Sequence, residues 1–367
     1  LYSSAASDVY KRQDPTDPID PGTPAPPIAP PDPVLPGNGY KNVSPESGAY
    51  AGNRLASTRL FTHSLHDRVP AYADGDTTAA TGRGLWARVQ GRHDSGLRMS
   101  EGRVDVDTDS AMVQLGGDVI KAAVGQDGAA YAGLMGGYGD ARSRAVSTLM
   151  LPGATAQTRA RARGKVSGYA VGIYGTYYEN DITRLGAYAD TWLQYGRYTN
   201  QISSELGSVR YRSNVWSASL EAGYAIQPFA GGTALDALVI EPNAQVIHTR
   251  YDAKDATLQG TRMRSDSDNA WNSRVGVRVY PRAAPQADKP AVRPFLETNW
   301  LHNGGNPKVR MGENTLAALP ARNALELKLG AEGRIGKQVQ VSGHVFGQAG
   351  NHDQRGYGGM LNVSYRW

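Results

Sequence analysis

The most regular feature of the chain is an alternation of hydrophobic and polar positions with a period of two residues, which begins near Gly84. Leu185 and Leu193, for example, stand on one face of such a stretch, and Asp190 and Gln194 stand on the other. Because successive side chains of a β-strand point to opposite faces, this period predicts strands. Twelve strands are predicted, over residues 84–94, 110–121, 129–142, 165–178, 183–197, 213–227, 236–250, 269–281, 292–304, 322–336, 338–351 and 355–367.

The lengths of these strands and of their connections favour a membrane barrel over a soluble sandwich. The strands run to about 11–15 residues, as a tilted membrane crossing needs, where about five or six is usual. Connections after the first, third, fifth, seventh and ninth strands are long and polar, as at 143–164 and 253–268, whereas those after even-numbered strands are short or moderate, as at 179–182 and 336–337. Long loops at one end and short turns at the other, with an even strand count, are typical of bacterial outer-membrane barrels.

If the hydrophobic faces contact lipid, the opposite faces line a polar lumen. On the lipid side a charge at the midplane would cost about 2–4 kcal/mol, whereas in a lumen charges of both signs can pair. The predicted lumen residues are Arg88, Asp118, Asp190, Glu221, Glu241, Arg274, Arg278, Glu297, Glu326, Lys328, Glu332 and Arg366. The same faces carry Gly116, Gly172, Gly186, Gly223 and Gly276, which either leave room for a segment inside the barrel or ease the twist of the strands.

A helix over residues 45–68 is predicted before the first strand. Ser44 is a suitable N-cap, Pro45 suits the first helical position, and Glu46 favours the positive end of the helix dipole. The helix would be roughly 36 Å long at about 1.5 Å per residue, enough to thread a bilayer-thick barrel. An amphipathic helix on the surface is the alternative.

Residues 14–39 are rich in proline and predict an extended linker, and residues 1–13 resemble adapter sequence read through in assembly. The predicted organisation is therefore a non-native leader and Pro-rich linker over 1–43, a pore-spanning helix and connector over 44–83, and a barrel over 84–367.

Pro242 fits poorly inside a paired strand, and a local bulge beside Glu241 would accommodate it.

The composition excludes several further classes of protein and of binding site. The chain has 367 residues, a net charge of +5 and a mean hydropathy of −0.48, and no apolar stretch is long enough for a transmembrane helix. The basic residues are dispersed, so no nucleic-acid partner is expected. The absence of Cys removes disulfides and Cys-based metal sites.

The motifs of common enzymes and cofactor sites are missing from the sequence. There is no G-x-S-x-G, H-E-x-x-H or phosphate-loop motif, and the glycine-rich stretch 330–337 has the wrong spacing for the last of these. His63 and His66 lie three residues apart, but as polar residues of a helix face and not as metal ligands. We expect no cofactor and no metal.

The chain ends on an alternating strand whose one face carries Leu361, Val363, Tyr365 and Trp367. A terminal aromatic residue suits the membrane interface on the periplasmic side. This ending resembles the signal by which bacterial barrels are recognised by the outer-membrane assembly machinery.

Residues 44–367 resemble the autotransporter translocators, closest to their pertactin- and AIDA-like branch. The resemblance rests on SPESGAY at 44–50 with Asn53, LHDR at 65–68, LWAR at 85–88, Glu241-Pro242 and the closing VSYRW. It implies a monomeric twelve-stranded outer-membrane barrel, plugged by a helix, that anchors its passenger at the cell surface. Its implied partners are that passenger, outer-membrane lipid, periplasmic chaperones and the barrel-assembly machinery. The lumen residues expected to contact the helix are Arg88, Glu241, Arg278, Glu297 and Glu326.

The resemblance also raises self-cleavage of the linker, in which an Asn side chain attacks its own backbone. Asn53 is the first candidate and Asn42 the second, with Glu241 or Glu297 polarising the amide. The chain is otherwise not expected to be an enzyme. Three alternatives stay open: an outer-membrane protease or lipase using His93-Asp94 or His302, a diffusion porin, and a soluble adhesive β-domain.

Overall fold

The computed structural model describes residues 42–70, 83–99, 104–150, 157–229, 234–265, 268–282, 292–305, 307–335 and 338–367. The predicted leader and Pro-rich linker up to residue 41, most of the connector (71–82) and the turn at 336–337 lie outside the described residues.

Twelve antiparallel strands form a closed barrel. Each pairs with the next along the chain, and the last pairs with the first from Gly84↔Arg366 to Ser95↔Arg355. The predicted fold class is therefore confirmed. The strands are β1 (Gly84–Met99), β2 (Val104–Val124), β3 (Gly128–Met150), β4 (Gln157–Tyr178), β5 (Gly186–Ser204), β6 (Gly207–Ala225), β7 (Leu238–Ala253), β8 (Asp268–Pro281), β9 (Val292–Asn303), β10 (Asn323–Ile335), β11 (Val339–Gly350) and β12 (Arg355–Arg366).

The two faces of the wall have opposite character. Leu85 and Leu327 are exposed outwards, at 54% and 50%, whereas Arg88 and Glu297 are buried inside, at 1% and 2%. Apolar residues outside and charges inside are the reverse of a soluble sandwich, so the soluble β-domain is excluded. Among the described residues, no helix is both long and apolar enough to pass through a bilayer.

Several strands extend well beyond the predicted ends. The predicted loop 143–164 is mostly strand, because β3 runs to Met150 and β4 starts at Gln157. In these extensions the alternation continues with its polarity reversed: Val106 and Ala145 are buried inside, and Arg144 is exposed outside. The outer face there meets water and the inner face packs on a helix. A prediction that requires apolar residues on the outer face therefore ends these strands too early.

The remaining long loops fold into a cap at the same end of the barrel. Hairpins Ala256–Leu258/Thr261–Arg264 and Lys308–Met311/Asn314–Leu319 lie between β7 and β8 and between β9 and β10. Met311 pairs with Met263, and both side chains are buried in one hydrophobic cluster with Tyr50. The turns after β2 and β4 lie at the opposite end, next to the start of β1 and the end of β12. The connection after β5, predicted to be long, is instead a tight turn at 205–206 beside the cap, because β5 and β6 extend beyond their predicted ends. The cap therefore marks the extracellular end.

The bulge predicted beside Glu241 is wrong. Pro242 pairs in register with Val277 of β8, and the ladder between β6 and β7 is interrupted beyond Gly223↔Asn243. It resumes in the same register at the bridge Ile226↔Ile240. Proline has no N–H to donate, so a gap in one ladder accommodates it without an extra residue.

The segment before the barrel contains two helices, α1 (Pro45–Arg59) and α2 (Leu65–Arg68). The prediction of one continuous helix over 45–68 is therefore wrong, for a reason that lies in the lumen wall.

Candidate functional site in the barrel lumen

Residues 42–68 thread the barrel lengthwise. At the extracellular end the Asn42 side chain donates to the carbonyl of Met150 at 2.7 Å and accepts from its N–H at 2.8 Å. At the other end the Asn362 amide of β12 donates to the carbonyl of Arg68 at 3.0 Å. The N-terminal side of the linker is thus fixed at the last residue of β3, and its C-terminal side points to the periplasmic half.

Helix α1 fills the extracellular half by close packing. A Cβ added to Gly48 would lie 2.6 Å from Val104, and one added to Gly52 would lie 2.5 Å from the Ser143 hydroxyl. The absence of side chains on this face therefore lets the helix approach β2 and β3. On another side the Tyr50 ring stacks on Tyr211, with ring centroids 4.9 Å apart.

Arg54 joins α1 to the cap. Its guanidinium donates to the Ser265 hydroxyl at 2.6 Å and to the carbonyl of Lys308 at 3.3 Å. It also lies 5.2 Å from the ring centre of Tyr251, within cation–π range. The helix and the loop hairpins are therefore held as one unit at the mouth.

The helix breaks between Arg59 and Leu65 where wall side chains bind its backbone carbonyls. Arg88 and Gln194 donate to the carbonyl of Phe61 at 3.4 and 3.2 Å. Trp192 and Gln245 donate to the carbonyl of His63 at 3.3 and 2.8 Å. These carbonyls have their partners in the wall and not in a following helical turn, which explains why the predicted helix is interrupted.

A capping box starts α2 directly after the break. The N–H of Ser64 donates to the Asp67 carboxylate at 2.9 Å. The next free N–H of the turn, on Leu65, donates to Glu221 of β6 at 3.1 Å. A wall carboxylate therefore stands at the positive end of this short helix.

Three consecutive side chains of α2 bind charged side chains of three different strands. His66 lies 2.5 Å from Glu241 of β7, Arg68 lies 2.5 Å from Asp190 of β5, and Asp67 lies 3.3 Å from Lys328 of β10. All of these groups are largely shielded from solvent, and breaking such a pair from one side costs about 3–5 kcal/mol. The geometry therefore selects one rotation and one depth for the linker.

The five predicted lumen contacts fall into two groups. Arg88 and Glu241 contact the linker directly, whereas Arg278, Glu297 and Glu326 belong to a network within the wall. Arg278 lies 3.1 Å from Glu297, and the Asn299 amide donates to Glu326 at 3.0 Å. Glu297 is connected to the linker indirectly, through Lys328 at 3.5 Å and through Arg274, which binds Glu221.

The predicted inner glycines make room for wall side chains. Added Cβ atoms at Gly116 and Gly223 would meet the rings of Trp86 and Tyr188, not the linker. The glycines that admit the linker are others: a Cβ at Gly137 would lie 2.8 Å from Phe61. Gly139 similarly faces Leu60 and Gly164 faces Asn53.

The Asn53 side chain is buried in the middle of α1. Its amide donates to the carbonyl of Gln201 at 3.1 Å and to the Tyr211 hydroxyl at 3.5 Å. Glu241 is instead bound to His66 and Tyr280, and Glu297 to Arg274, Arg278 and Lys328. The structure thus does not bring either carboxylate to Asn53 among its described contacts.

The residues of the enzyme alternative lie apart at the extracellular end. The His93 ring donates to the Asp109 carboxylate at 2.6 Å on the outer face, and the His302 ring donates to the side-chain oxygen of Asn323 at 2.8 Å. In the part of the chain that the structure describes, no three His, Asp or Glu side chains are grouped as a metal site.

The terminal strand presents its predicted face to lipid. Leu361, Val363, Tyr365 and Trp367 are all exposed on the outside of the barrel, and the last two rings stack with centroids 6.1 Å apart. Both aromatic rings lie at the periplasmic edge of the apolar belt, where such rings are favoured.

A family model described as the autotransporter beta-domain matches residues 85–345. The chain belongs to the autotransporter family. The "Uncharacterized protein YdeU" of Escherichia coli is 31% identical over 91% of this chain and 72% of its own length. The "Autotransporter adhesin AIDA-I" of Escherichia coli is 28% identical over 90% of this chain but only 26% of its own length. The crystal structure of the AIDA-I transport unit matches with a TM-score of 0.73 and 26% identity, covering 89% of this chain and 100% of that one.

These matches confirm the predicted family, fold, function and location. The barrel is the translocator domain of a type V secretion system in the bacterial outer membrane, and its partner is a passenger domain. Translocators of this family are not themselves enzymes. The chain spans about a quarter of AIDA-I, so the nature of the passenger does not follow from the likeness.

Proposed function

We propose that residues 84–367 of this autotransporter carry a passenger attached before Asn42 to the cell surface and then hold it there. Residues 44–83 act as the pore-spanning helix and connector, and residues 1–43 as leader and linker. The observation that carries the proposal is the direction of the linker, with Asn42 bound at the extracellular end of β3 and Arg68 bound towards the periplasm. A segment joined before residue 42 then emerges outside the cell.

An epitope fused before residue 42 tests this direction. In intact cells the epitope should bind antibody and be removed by external protease. As a control, the same epitope placed in the short turn at 125–127 should be reached only after the outer membrane is permeabilised. Protection of the first epitope in intact cells would contradict the proposal.

During export, an unfolded hairpin of the passenger passes through the barrel, and folding outside favours completion. No nucleotide hydrolysis is needed. Afterwards α1 and α2 settle in the lumen, which their buried ion pairs and the backbone contacts of Arg88 support. A diffusion porin requires an open lumen, which these contacts disfavour.

Assembly of the monomeric barrel would depend on periplasmic chaperones and the barrel-assembly machinery reading the exposed face of β12. Replacing Tyr365 and Trp367 with Ala should reduce the amount of heat-modifiable protein in the outer membrane. Leu325→Ala changes an equally lipid-exposed residue of β10 and serves as the control. Equal assembly of both variants would refute the role of the terminal strand.

Self-cleavage is a separate part of the proposal, with Asn53 first and Asn42 second. The Asn53 side-chain nitrogen would bond to the carbonyl carbon of Asn53 itself as the peptide bond to Arg54 breaks. A proton from the side-chain amide passes to the nitrogen of Arg54, which leaves as a free amine, and Asn53 becomes a C-terminal succinimide. The burial of Asn53, which excludes water from the competing reaction, supports this chemistry. Unchanged processing at the same site and rate in Asn53→Ala would refute it.

A further inference from the structure

The outer wall of β3, β4 and β6 carries a cluster of exposed cations above the apolar belt. We define this basic wall as Arg142, Arg144, Arg161, Arg163, Lys165 and Arg212. All six face outwards in the same alternation as the lipid-facing residues below them. They stand outside the lumen, and the translocation path does not use them.

The basic wall begins just above the membrane interface. Tyr138 and Tyr169 lie opposite each other and are 55% and 49% exposed, as expected of interfacial rings. Lys165 precedes Tyr169 by four residues, roughly 13 Å at about 3.3 Å per residue, or roughly 9 Å along the membrane normal at a tilt of about 45°. Arg212 stands at the same spacing above the exposed Trp216. The headgroup layer is about 5–8 Å thick on each side, so the wall stands at and just above it.

Like charges face each other within the wall. Arg144 is the direct cross-strand partner of Arg163, and Arg142 is that of Lys165. Such pairs are about 5 Å apart at Cβ and destabilise a sheet unless an anion lies between them. On the other side of β4, Arg163 and Lys165 face the neutral Ser203 and Gln201.

The chain provides few counter-charges here. Asp107 and Asp109 of β2 stand opposite Arg144 and Arg142, but Asp109 lies 2.6 Å from His93. Within the described part of the chain, no ion pair joins any of the six cations to a carboxylate. Asp140 lies between Tyr138 and Arg142 on the same outer face of β3. The six cations still outnumber Asp107, Asp109 and Asp140, so an anion from outside the barrel would neutralise the excess positive charge.

We propose that the basic wall binds the phosphate groups of the phosphorylated glycolipid in the outer leaflet of the outer membrane. Guanidinium groups recognise phosphate oxygens in pairs, and cations at a membrane surface add to the attraction one by one. The direct continuation from the tyrosine pair into the wall puts the cations where lipid headgroups already lie. Binding of a soluble polyanion would not require the cations to adjoin the tyrosine pair at the membrane interface.

The test uses the full chain folded in detergent, with diphosphoryl lipid A as the probe. The unfolding midpoint should rise with lipid concentration, because a ligand of the folded state stabilises it, and monophosphoryl lipid A should act more weakly. Replacing Arg163 and Lys165 together with Gln should weaken the apparent affinity roughly 30-fold, given about 1 kcal/mol for each cation. Replacing Arg262 and Lys308 with Gln removes two exposed cations of the cap hairpins and should leave the affinity unchanged.

Equal affinity of the double variant and the wild type for diphosphoryl lipid A would overturn the proposal, as would equal affinity of the wild type for the two lipids. An equal rise with inorganic pyrophosphate would assign the wall to free anions instead. Heat-modifiable migration verifies folding of each variant. If the double variant does not fold, the comparison of the two lipids on the wild type decides.

Discussion

The Arg68 guanidinium lies 2.5 Å from the Asp190 carboxylate, and both side chains are buried in the lumen. The same carboxylate oxygen accepts from the Thr176 hydroxyl at 2.5 Å, and Arg68 lies over the ring of Tyr174 at 3.9 Å. This arrangement ties the last residue of the linker helix to the middle of the wall. The depth of the plug therefore depends on a charge pair that is buried away from solvent.

Asp190→Asn should destabilise the folded barrel by about 3–5 kcal/mol, because Arg68 then stays buried without its counter-charge. The effect is measured as a lower temperature of conversion from the heat-modifiable form. Arg98→Ala is the control, since its exposed pair with Asp353 at 3.3 Å is worth about 0–1 kcal/mol. Equal shifts for the two variants would show that the lumen pair does not fix the linker.

Deleting residues 45–68 should raise the single-channel conductance in planar bilayers. The segment fills the extracellular half and breaks the aqueous path, and its removal leaves a lumen lined by charges of both signs. Deleting only the cap hairpin at 308–319 should change the conductance far less. An unchanged trace after removal of 45–68 would refute the plug.

Gly52→Val should displace α1 from β2 and β3. The new side chain would overlap Ser143 and Val106, an overpacking that costs about 1–3 kcal/mol. Conductance should increase and the unfolding temperature should fall. Gly347→Val adds the same side chain where nothing lies within 4 Å of the new Cβ, and it should leave both quantities nearly unchanged.

The periplasmic turn between β4 and β5 should give the barrel a pH-dependent contribution to stability. Burial alone would raise the pKa of Asp181, but the neighbouring Arg184, with Tyr131 and Lys121, outweighs it and lowers that pKa below its ordinary value. A carboxyl whose pKa is lowered on folding stabilises the protein above its unfolded pKa, near 4, and loses this contribution as the pH falls through the folded pKa.

Asp181→Asn should therefore lower the unfolding midpoint at neutral pH and flatten its decline in acid. Below the folded pKa of Asp181 the variant and the wild type should converge. Denaturant titrations of the detergent-folded protein at several pH values measure this. Asp353→Asn, in an exposed pair, is the control. A constant difference between Asp181→Asn and wild type at all pH values would contradict the assignment.

The barrel was predictable because its signal is repeated in every strand. Residues such as Leu85 and Arg88 follow a simple rule: apolar side chains face lipid and charged side chains face the lumen. A shift of the strand register by one residue would exchange the two faces. The ends of β2, β3 and β4 were not predictable in the same way. There Val106 faces α1 and Arg144 faces water, so the rule changes sign where the membrane ends.

The candidate site was predictable only in part. Arg88 and Glu241 stand out as charges on inward positions, but their particular partners depend on where the linker breaks. Gln194 and Gln245 were missed because a search for charged lumen residues passes over neutral amides. The alternation of the strands does place both residues on the inner face. The local sequence, however, does not show that they bind the carbonyls of Phe61 and His63.

The binding of those two carbonyls by the wall determines which substitutions in the linker are tolerated. Arg88, Gln194, Trp192 and Gln245 bind backbone carbonyls, which every amino acid possesses, so this part of the recognition does not depend on the side chain attached. After export of a polypeptide of any composition, the wall can therefore still bind the backbone of the segment that follows it. The side chains of Phe61 and His63 are themselves buried against the wall, so substitutions of the half-buried Thr62 should be the best tolerated in this segment.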